Sequence, residues 1–495
     1  MDSQDEWYRD KLSNLIQEDL RIPTLSELRE QLSSLSKDEF NRIVTNLQLP
    51  LVFDCLNDTN SQQVDLACDV LTLCLNNLTL EEITNRYSSD LERALLHPYT
   101  SVKTMALQEI KRSLDDEESL GAFCQQTSML VNVVSCIGDS QLGPAKIASD
   151  IVVALGATLP GANKITTNEI LVVIENLMNM NEIVRLRVYE MIIRISEQSE
   201  YCFEKFQAAG FMKKIIDGLK NDDILYTMNT IQILSQLADC EHGYNFLERT
   251  DTLNKIFSLL TEDELKVYWC EPGILKFFGS VSQKRPHEII VKHPKLINRL
   301  FANIESSDAT VIGISLDTIG LMGQTSQGKV ALASTGTQID GTIRTISHLI
   351  NSLPTEIRVR ALNCIENLLR TDRFDIAEIT EKWFHLLGKN PMEMITRYAK
   401  NPFVDLRLAG IGIINALARQ QWGQKAIRDT PGLIEYLLDR RLETNKECKE
   451  AKFEVIRLLS GSLLFDRHVQ DKMTEFIKEG PFYVQIVTEV AVEGD

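Results

Sequence analysis

The stretch Gly323-Gln324-Thr325-Ser326-Gln327-Gly328-Lys329-Val330 has the glycine and lysine spacing with which a loop cradles nucleotide phosphates. Val330 stands where a Ser or Thr would hold magnesium, and the preceding residues read as a helix rather than the strand that must feed such a loop. An inter-helix turn is the better expectation. Gly410-Ile411-Gly412 lacks the third glycine of a dinucleotide fingerprint and lies inside a helical stripe. The seven histidines are scattered. His287-Glu288 precedes His293, which does not share a helical face with His287 as zinc ligands at i and i+4 do. The run Asp115-Asp116-Glu117-Glu118 reads as a solvated loop or a first helical turn, where carboxylates suit the dipole. No Gly-x-Ser-x-Gly elbow occurs. These patterns point to no catalytic centre, cofactor or metal, and to a protein that is not an enzyme.

The elements around these residues carry the stronger signal. A polar or proline-containing turn recurs before a helix that opens with an aliphatic residue, often beside a basic one: Val102-Lys103, Val184-Arg185, Leu225, Val311, Ile357-Arg358 and Val404. The openings fall about 41–47 residues apart, or twice that, which is the period of HEAT and armadillo arrays. In the helix from Val184, apolar residues recur at Val188, Met191, Ile192 and Ile195, one face of a 3.6-residue period. The next unit repeats this with Leu225, Met228, Ile231, Leu234 and Leu237. Glycine-bearing links such as Cys240-Glu241-His242-Gly243 and Gln421-Trp422-Gly423 precede a third helix in many units. The expected fold is an all-α, HEAT/armadillo-like solenoid, a curved superhelix of roughly eleven repeats. Residues 1–50 are expected to form a helical cap, 51–478 the array, and 479–495 an extended tail. Around Leu260–His293 the pattern weakens, and Pro272 is expected to interrupt its helix.

Composition bounds the partners. The chain has 495 residues and 70 Asp plus Glu against 52 Lys plus Arg, a net charge of −18. That field repels a phosphate backbone, so no nucleic-acid partner is expected; it suits basic protein partners through steering. No apolar run is long enough to span a membrane; Asp150 and Asp317 break the best ones. Ten irregularly spaced cysteines, without Cys-x-x-Cys, suit reduced thiols in a cytosolic protein.

Repeats of this kind stack into an extended binding surface. The aromatic group Tyr268, Trp269, Phe277 and Phe278, inside the irregular stretch, is the candidate protein-binding site, with core packing as the competing reading. Arg187, Arg360 and Arg407 each follow an opening aliphatic residue by three and are expected to brace turns between repeats.

Several segments, in order along the chain, resemble the family of proteasome non-ATPase regulatory subunit 5, assembly chaperones of the regulatory-particle base. They are Leu96-His97-Pro98, Ile183-Val184-Arg185 with Arg187-Val188-Tyr189-Glu190, Lys276-Phe277-Phe278-Gly279, Ile312-Gly313, Pro431-Gly432, and the terminal Glu479-Gly480-Pro481-Phe482-Tyr483-Val484 with Ala491-Val492-Glu493-Gly494. The resemblance implies a solenoid that holds ATPase subunits of the base by their C-terminal domains and occludes premature docking on the core particle. A large non-ATPase base subunit is a further implied partner, and the implied location is the cytoplasm, with a nuclear pool also compatible. Core-docking ATPases end in a hydrophobic residue, Tyr and any residue; here Phe482-Tyr483-Val484 is internal, so this chain is not expected to open the core gate. The alternatives are an importin-like transport receptor and a general protein scaffold. Trp422 is followed four residues on by Ala426 rather than Asn, against the Trp–Asn pattern of importins that read basic signals.

Overall fold

The structure is a computed structural model that describes residues 3–44, 47–78, 80–114, 117–261 and 264–483. The described residues are helices and turns, without a strand. They divide into two compact units, Met1–Leu253 and Asn254–Asp495.

Each unit is a ladder of long helices flanked by shorter ones. In the first unit the rungs are α1 (Glu18–Ser34), α2 (Ser61–Leu75), α3 (Thr100–Ser113), α4 (Leu142–Gly156), α5 (Glu182–Gln198) and α6 (Ile224–Leu237), each packed on the next. In the second they are α7 (Glu264–Lys284), α8 (Ala309–Met322), α9 (Thr355–Leu369), α10 (Val404–Ala418) and α11 (Lys446–Ser460), again each on the next. The chain is thus an all-α, HEAT/armadillo-like helical repeat protein. α1 packs on α2 across the cap boundary expected at residue 50.

Helix starts set the repeat register. The Asn181 side chain accepts from the Val184 amide at 2.9 Å, so Val184 is the third helical residue of α5 and is buried. Val102, Ile357 and Leu406 are the buried third residues of α3, α9 and α10. In α6 the Asp223 carboxylate accepts from the amides of Leu225 and Tyr226, at 2.7 and 3.2 Å, and fixes the start one residue later than the apolar pattern suggests. Tyr226 therefore fills the buried slot and Leu225 is 74% exposed, contrary to its expected place on the apolar face. The same correction applies to α10, where Leu406, not Val404, is the buried opening residue.

The glycines of the short helices have a steric reason. A Cβ on Gly161, Gly243, Gly328 or Gly423 would meet the carbonyl oxygen of Leu155, Leu237, Met322 or Leu417 at 2.1, 2.1, 1.8 and 2.2 Å. Each short helix crosses directly over the end of the preceding rung.

Two further expectations are corrected. Pro272 lies within the continuous helix α7. It removes one backbone donor, but Cys270, Ile274, Leu275, Phe277, Phe278 and Val281 bury the helix on both sides of it. The tail does not run extended from residue 479. The last helix, Arg467–Glu479, ends at Gly480 with φ 86°, and residues 481–482 form a turn. Arg440 donates to the carbonyls of Phe476 and Gly480 at 2.8 and 3.2 Å and holds that turn. Residues 484–495, and the Asp115–Asp116 pair of the acidic run, lie outside the described residues.

Candidate protein-binding surface

α7 separates the four candidate aromatics into two pairs. Phe277 and Phe278 are 2% and 0% exposed and pack edge-to-face at 5.1 Å, and the Phe278 ring also lies 5.8 Å from that of His293. Their place at the apolar spacing of the helix makes them core, and they are not docking anchors. Tyr268 and Trp269, two turns earlier, are 56% and 58% exposed and pack edge-to-face at 5.4 Å. Beside them the buried Glu271 accepts from Arg299 Nη2 at 2.9 Å and Asn303 Nδ2 at 2.8 Å, which pins the helix Pro294–Ala302 to α7. Burial alone raises the carboxyl pKa, but the bonds from Arg299 and Asn303 outweigh it and hold the group below the usual carboxylate range. The aromatic pair thus stands on a braced helix.

The arginines divide by register. Arg185, Arg358 and Arg407 are the fourth helical residues of their rungs and close the turn before them. Arg185 donates to the Met178 carbonyl at 2.8 Å, Arg358 to Leu353 at 2.9 Å, and Arg407 to Asn401 at 2.6 Å. Arg187 and Arg360, two positions later, reach the preceding repeat: Arg187 donates to the Asp139 carbonyl at 2.7 Å, and Arg360 pairs with Asp317 at 3.3 Å. Arg407 is therefore not equivalent to the other two, because its rung starts two residues later relative to the apolar pattern.

The residues that suggested phosphate or metal chemistry are used for the same purpose. Lys329 is fully buried; its Nζ donates to the carbonyl of Gly323, at the end of α8, and at 2.8 Å to that of Asn367, in the last turn of α9. Burial pushes its pKa down to about 8. Gln420 does likewise for α9 and α10, donating to Leu369 O at 2.7 Å and Ala416 O at 3.4 Å. His242 Nε2 lies 2.6 Å from the Ser196 carbonyl near the end of α5. Helix C-termini carry orphan carbonyls, and these side chains satisfy them across repeats. With the close crossing at Gly328, the glycine–lysine segment holds helix ends together rather than forming an open phosphate cradle. Among the described residues, no group of three or more His, Cys, Asp and Glu could hold a metal ion, and no single helix is long and apolar enough to cross a membrane. All ten cysteines are free, and burial pushes the Cys55 and Cys136 thiols up to about 11 and that of Cys68 to about 12.

Charge is unevenly shared between the units. Met1–Leu253 carries 39 Asp plus Glu against 21 Lys plus Arg, while Asn254–Asp495 carries 31 against 31. The whole net charge of −18 therefore belongs to the first unit.

The family model described as proteasome non-ATPase 26S subunit matches residues 4–495. The chain is 30% identical over 487 residues to 26S proteasome non-ATPase regulatory subunit 5 of Homo sapiens, covering 96% of each chain. It is 29% identical over 486 residues to the protein of that name from Bos taurus, again covering 96% of each. With that from Drosophila melanogaster the identity is 25% over 512 residues, covering 100% of this chain and 99% of the other. Among solved structures it is similar to importin beta in an ammonium sulfate condition, with TM-score 0.54 and 13% identity over 96% of this chain and 64% of that one. It is also similar to a chain of the Kap95:Nup1 complex, with TM-score 0.60 and 12% identity over 94% and 64%. At such identities the structural likeness speaks for the fold alone.

Proposed function

The chain belongs to the proteasome non-ATPase 26S subunit family, and from that premise we propose that it is an assembly chaperone for the base of the proteasome regulatory particle. It holds C-terminal domains of ATPase ring subunits and keeps them from docking on the core particle until assembly displaces it. The observation that carries the reading is the full-length similarity to regulatory subunit 5, which spans both units rather than one repeat. A large non-ATPase base subunit is a second candidate partner, and the proposed site of action is the cytoplasm, with a nuclear pool compatible with the same role.

The physical mechanism is steric. Within the second unit, rungs tied end to end by Lys329 and Gln420 form a pre-organised face, so little ordering free energy opposes docking of a folded domain. Tyr268 and Trp269 are the anchors that such a domain would bury. Each is more than half exposed, and covering it contributes about 2–3 kcal/mol. No step of this function requires bond chemistry from the chain.

The test is to mix the purified chain with purified C-terminal domains of base ATPases, follow complex formation by size-exclusion chromatography, and then add core particle. A stable small complex that delays core docking supports the proposal. Absence of complex with every ATPase domain, or docking at an undiminished rate, refutes it.

A further inference from the structure

The last repeats of the second unit leave an opening near Tyr483, the last described residue. A cavity of about 540 Å³ lies at the start of α10, against the short helix Leu433–Leu438 and the link from that helix to α11. Pro402 and Arg407 line it from α10 and the turn before it, Tyr436 from the short helix, and Asp439 and Leu442 from the link. Leu442 is 64% exposed, and Phe403, next to Pro402, is 65% exposed. In a stacked array each repeat is covered by its neighbours, and a terminal repeat needs another segment as its cap. The helix Arg467–Glu479 packs on α11, but none of its residues lines the cavity.

Charge does not choose the occupant. The lining carries two cations, Lys400 and Arg407, and two carboxylates, Glu435 and Asp439. Around it Arg407 pairs with Glu443, Arg441 with Asp439, and Arg440 with Glu479. The buried Lys452 lies over the Tyr436 ring and donates to the Tyr436 carbonyl. Neither a polyanion nor a polycation is drawn to such a balanced rim.

Position chooses instead. Arg440, the residue after Asp439, donates to the carbonyls of Phe476 and Gly480. Its guanidinium lies 3.8 Å from the Phe476 ring centroid and 5.7 Å from that of Tyr483. This clamp brings Tyr483 within about 20 Å of the cavity. The twelve residues that follow can span roughly 40 Å. In the period of an extended chain, Val484, Ile486, Thr488, Val490 and Val492 fall on one side, and Gln485, Val487, Glu489, Ala491 and Glu493 on the other. The first side is aliphatic but for Thr488.

We propose that residues 484–495 fold back and seat these aliphatic side chains in the cavity, as an intramolecular cap on the last repeats. Tethering raises the local concentration of the tail to about the millimolar range, above what a second copy reaches at working dilution. The tail thereby covers Leu442 and Phe403 and withholds them from other partners until it is displaced. The inference concerns the second unit alone and is independent of the chaperone reading.

Bimane attached at Ala491→Cys in the full-length chain reports the contact, with Leu442→Trp as a quencher on the rim. Nine native cysteines are buried and Cys240 is half-buried, and the chain without Ala491→Cys gives the labelling background. Ile486→Asp with Val490→Asp supplies the undocked baseline, and far-ultraviolet circular dichroism checks that the helices are intact in every variant. Replacing two seated aliphatic side chains by carboxylates should weaken docking roughly a hundredfold or more. Leu442→Trp should therefore quench the bimane several-fold in the native tail and leave the baseline tail close to its unquenched level. Equal quenching in both tails, or none in either, overturns the proposal. So does quenching that fades on dilution of the protein, which assigns the cavity to a second copy.

Discussion

Replacing Gly328 by Ala tests the account of the repeat at one atom. A Cβ there would lie 1.8 Å from the Met322 carbonyl oxygen, which is backbone and cannot rotate aside. An ordinary C···O contact is about 3.3 Å, so the short helix Ser326–Ala333 and the end of α8 must part by roughly 1.5 Å. That separation strains the bonds of Lys329 to Gly323 and Asn367 at the same crossing. Overpacking of this kind costs about 3 kcal/mol or more, against a gain of about 1 kcal/mol in helix propensity from Gly to Ala. The net expectation is a loss of about 2 kcal/mol. Gly341, inside the helix Thr337–Leu349, is the internal control, because a Cβ there meets nothing within 4 Å. Gly341→Ala should stabilise by about 0.5–1 kcal/mol. The same substitution thus takes opposite signs at two sites 13 residues apart. Native-state hydrogen exchange of the α8 and α9 amides suits the measurement, since stability in a stacked array is largely local. The two variants should differ roughly a hundredfold in opening equilibrium for that region. A Gly328→Ala protein within about 0.5 kcal/mol of wild type, or shifted in the same direction as Gly341→Ala, refutes the close-crossing argument.

The aromatic pairs should separate by assay. Phe277→Ala should cost about 3–5 kcal/mol in urea unfolding, whereas Tyr268→Ser with Trp269→Ser should leave the midpoint unchanged and weaken ATPase-domain binding; destabilisation by the second variant contradicts the exposure seen here. Lys329→Met should cost about 1.5–3 kcal/mol by leaving the carbonyls at the ends of α8 and α9 unpaired, and Mg-ATP should not raise the melting temperature of the wild type. A nucleotide-dependent rise restores the phosphate-loop reading. The Glu271 carboxyl is held below its ordinary value, so its stabilising contribution is present above the unfolded pKa and is lost as pH falls through the folded one. Between about pH 5.5 and 3.5, Glu271→Gln should therefore show a shallower loss of unfolding free energy than wild type, by urea titration; parallel acid limbs discount the Arg299–Asn303 clamp.

The sequence by itself determined the helical repeat, because apolar residues at helical spacing are a local property of the chain. Val184, Val188, Met191, Ile192 and Ile195 were legible as one face, and all are buried. It also made the full-length family resemblance visible, and it showed that Val330 and the scattered histidines do not complete a phosphate or metal motif. Tertiary structure decided what periodicity leaves open. An apolar stripe fixes a helix's face but not its first residue. The Asp223 cap moved α6 by one position and turned Leu225 from expected core into exposed surface. The signal was present in the sequence as Asn221-Asp222-Asp223, where three residues compete to cap the helix. The four candidate aromatics are close in sequence and share one helix, yet the tertiary packing buries Phe277 and Phe278 and leaves Tyr268 and Trp269 in solvent. Lys329, His242 and Gln420 have nothing in common as residue types. They share a role only because stacking brings the carbonyl ends of successive rungs within hydrogen-bonding reach, through contacts about 40 to 50 residues apart that no local pattern encodes.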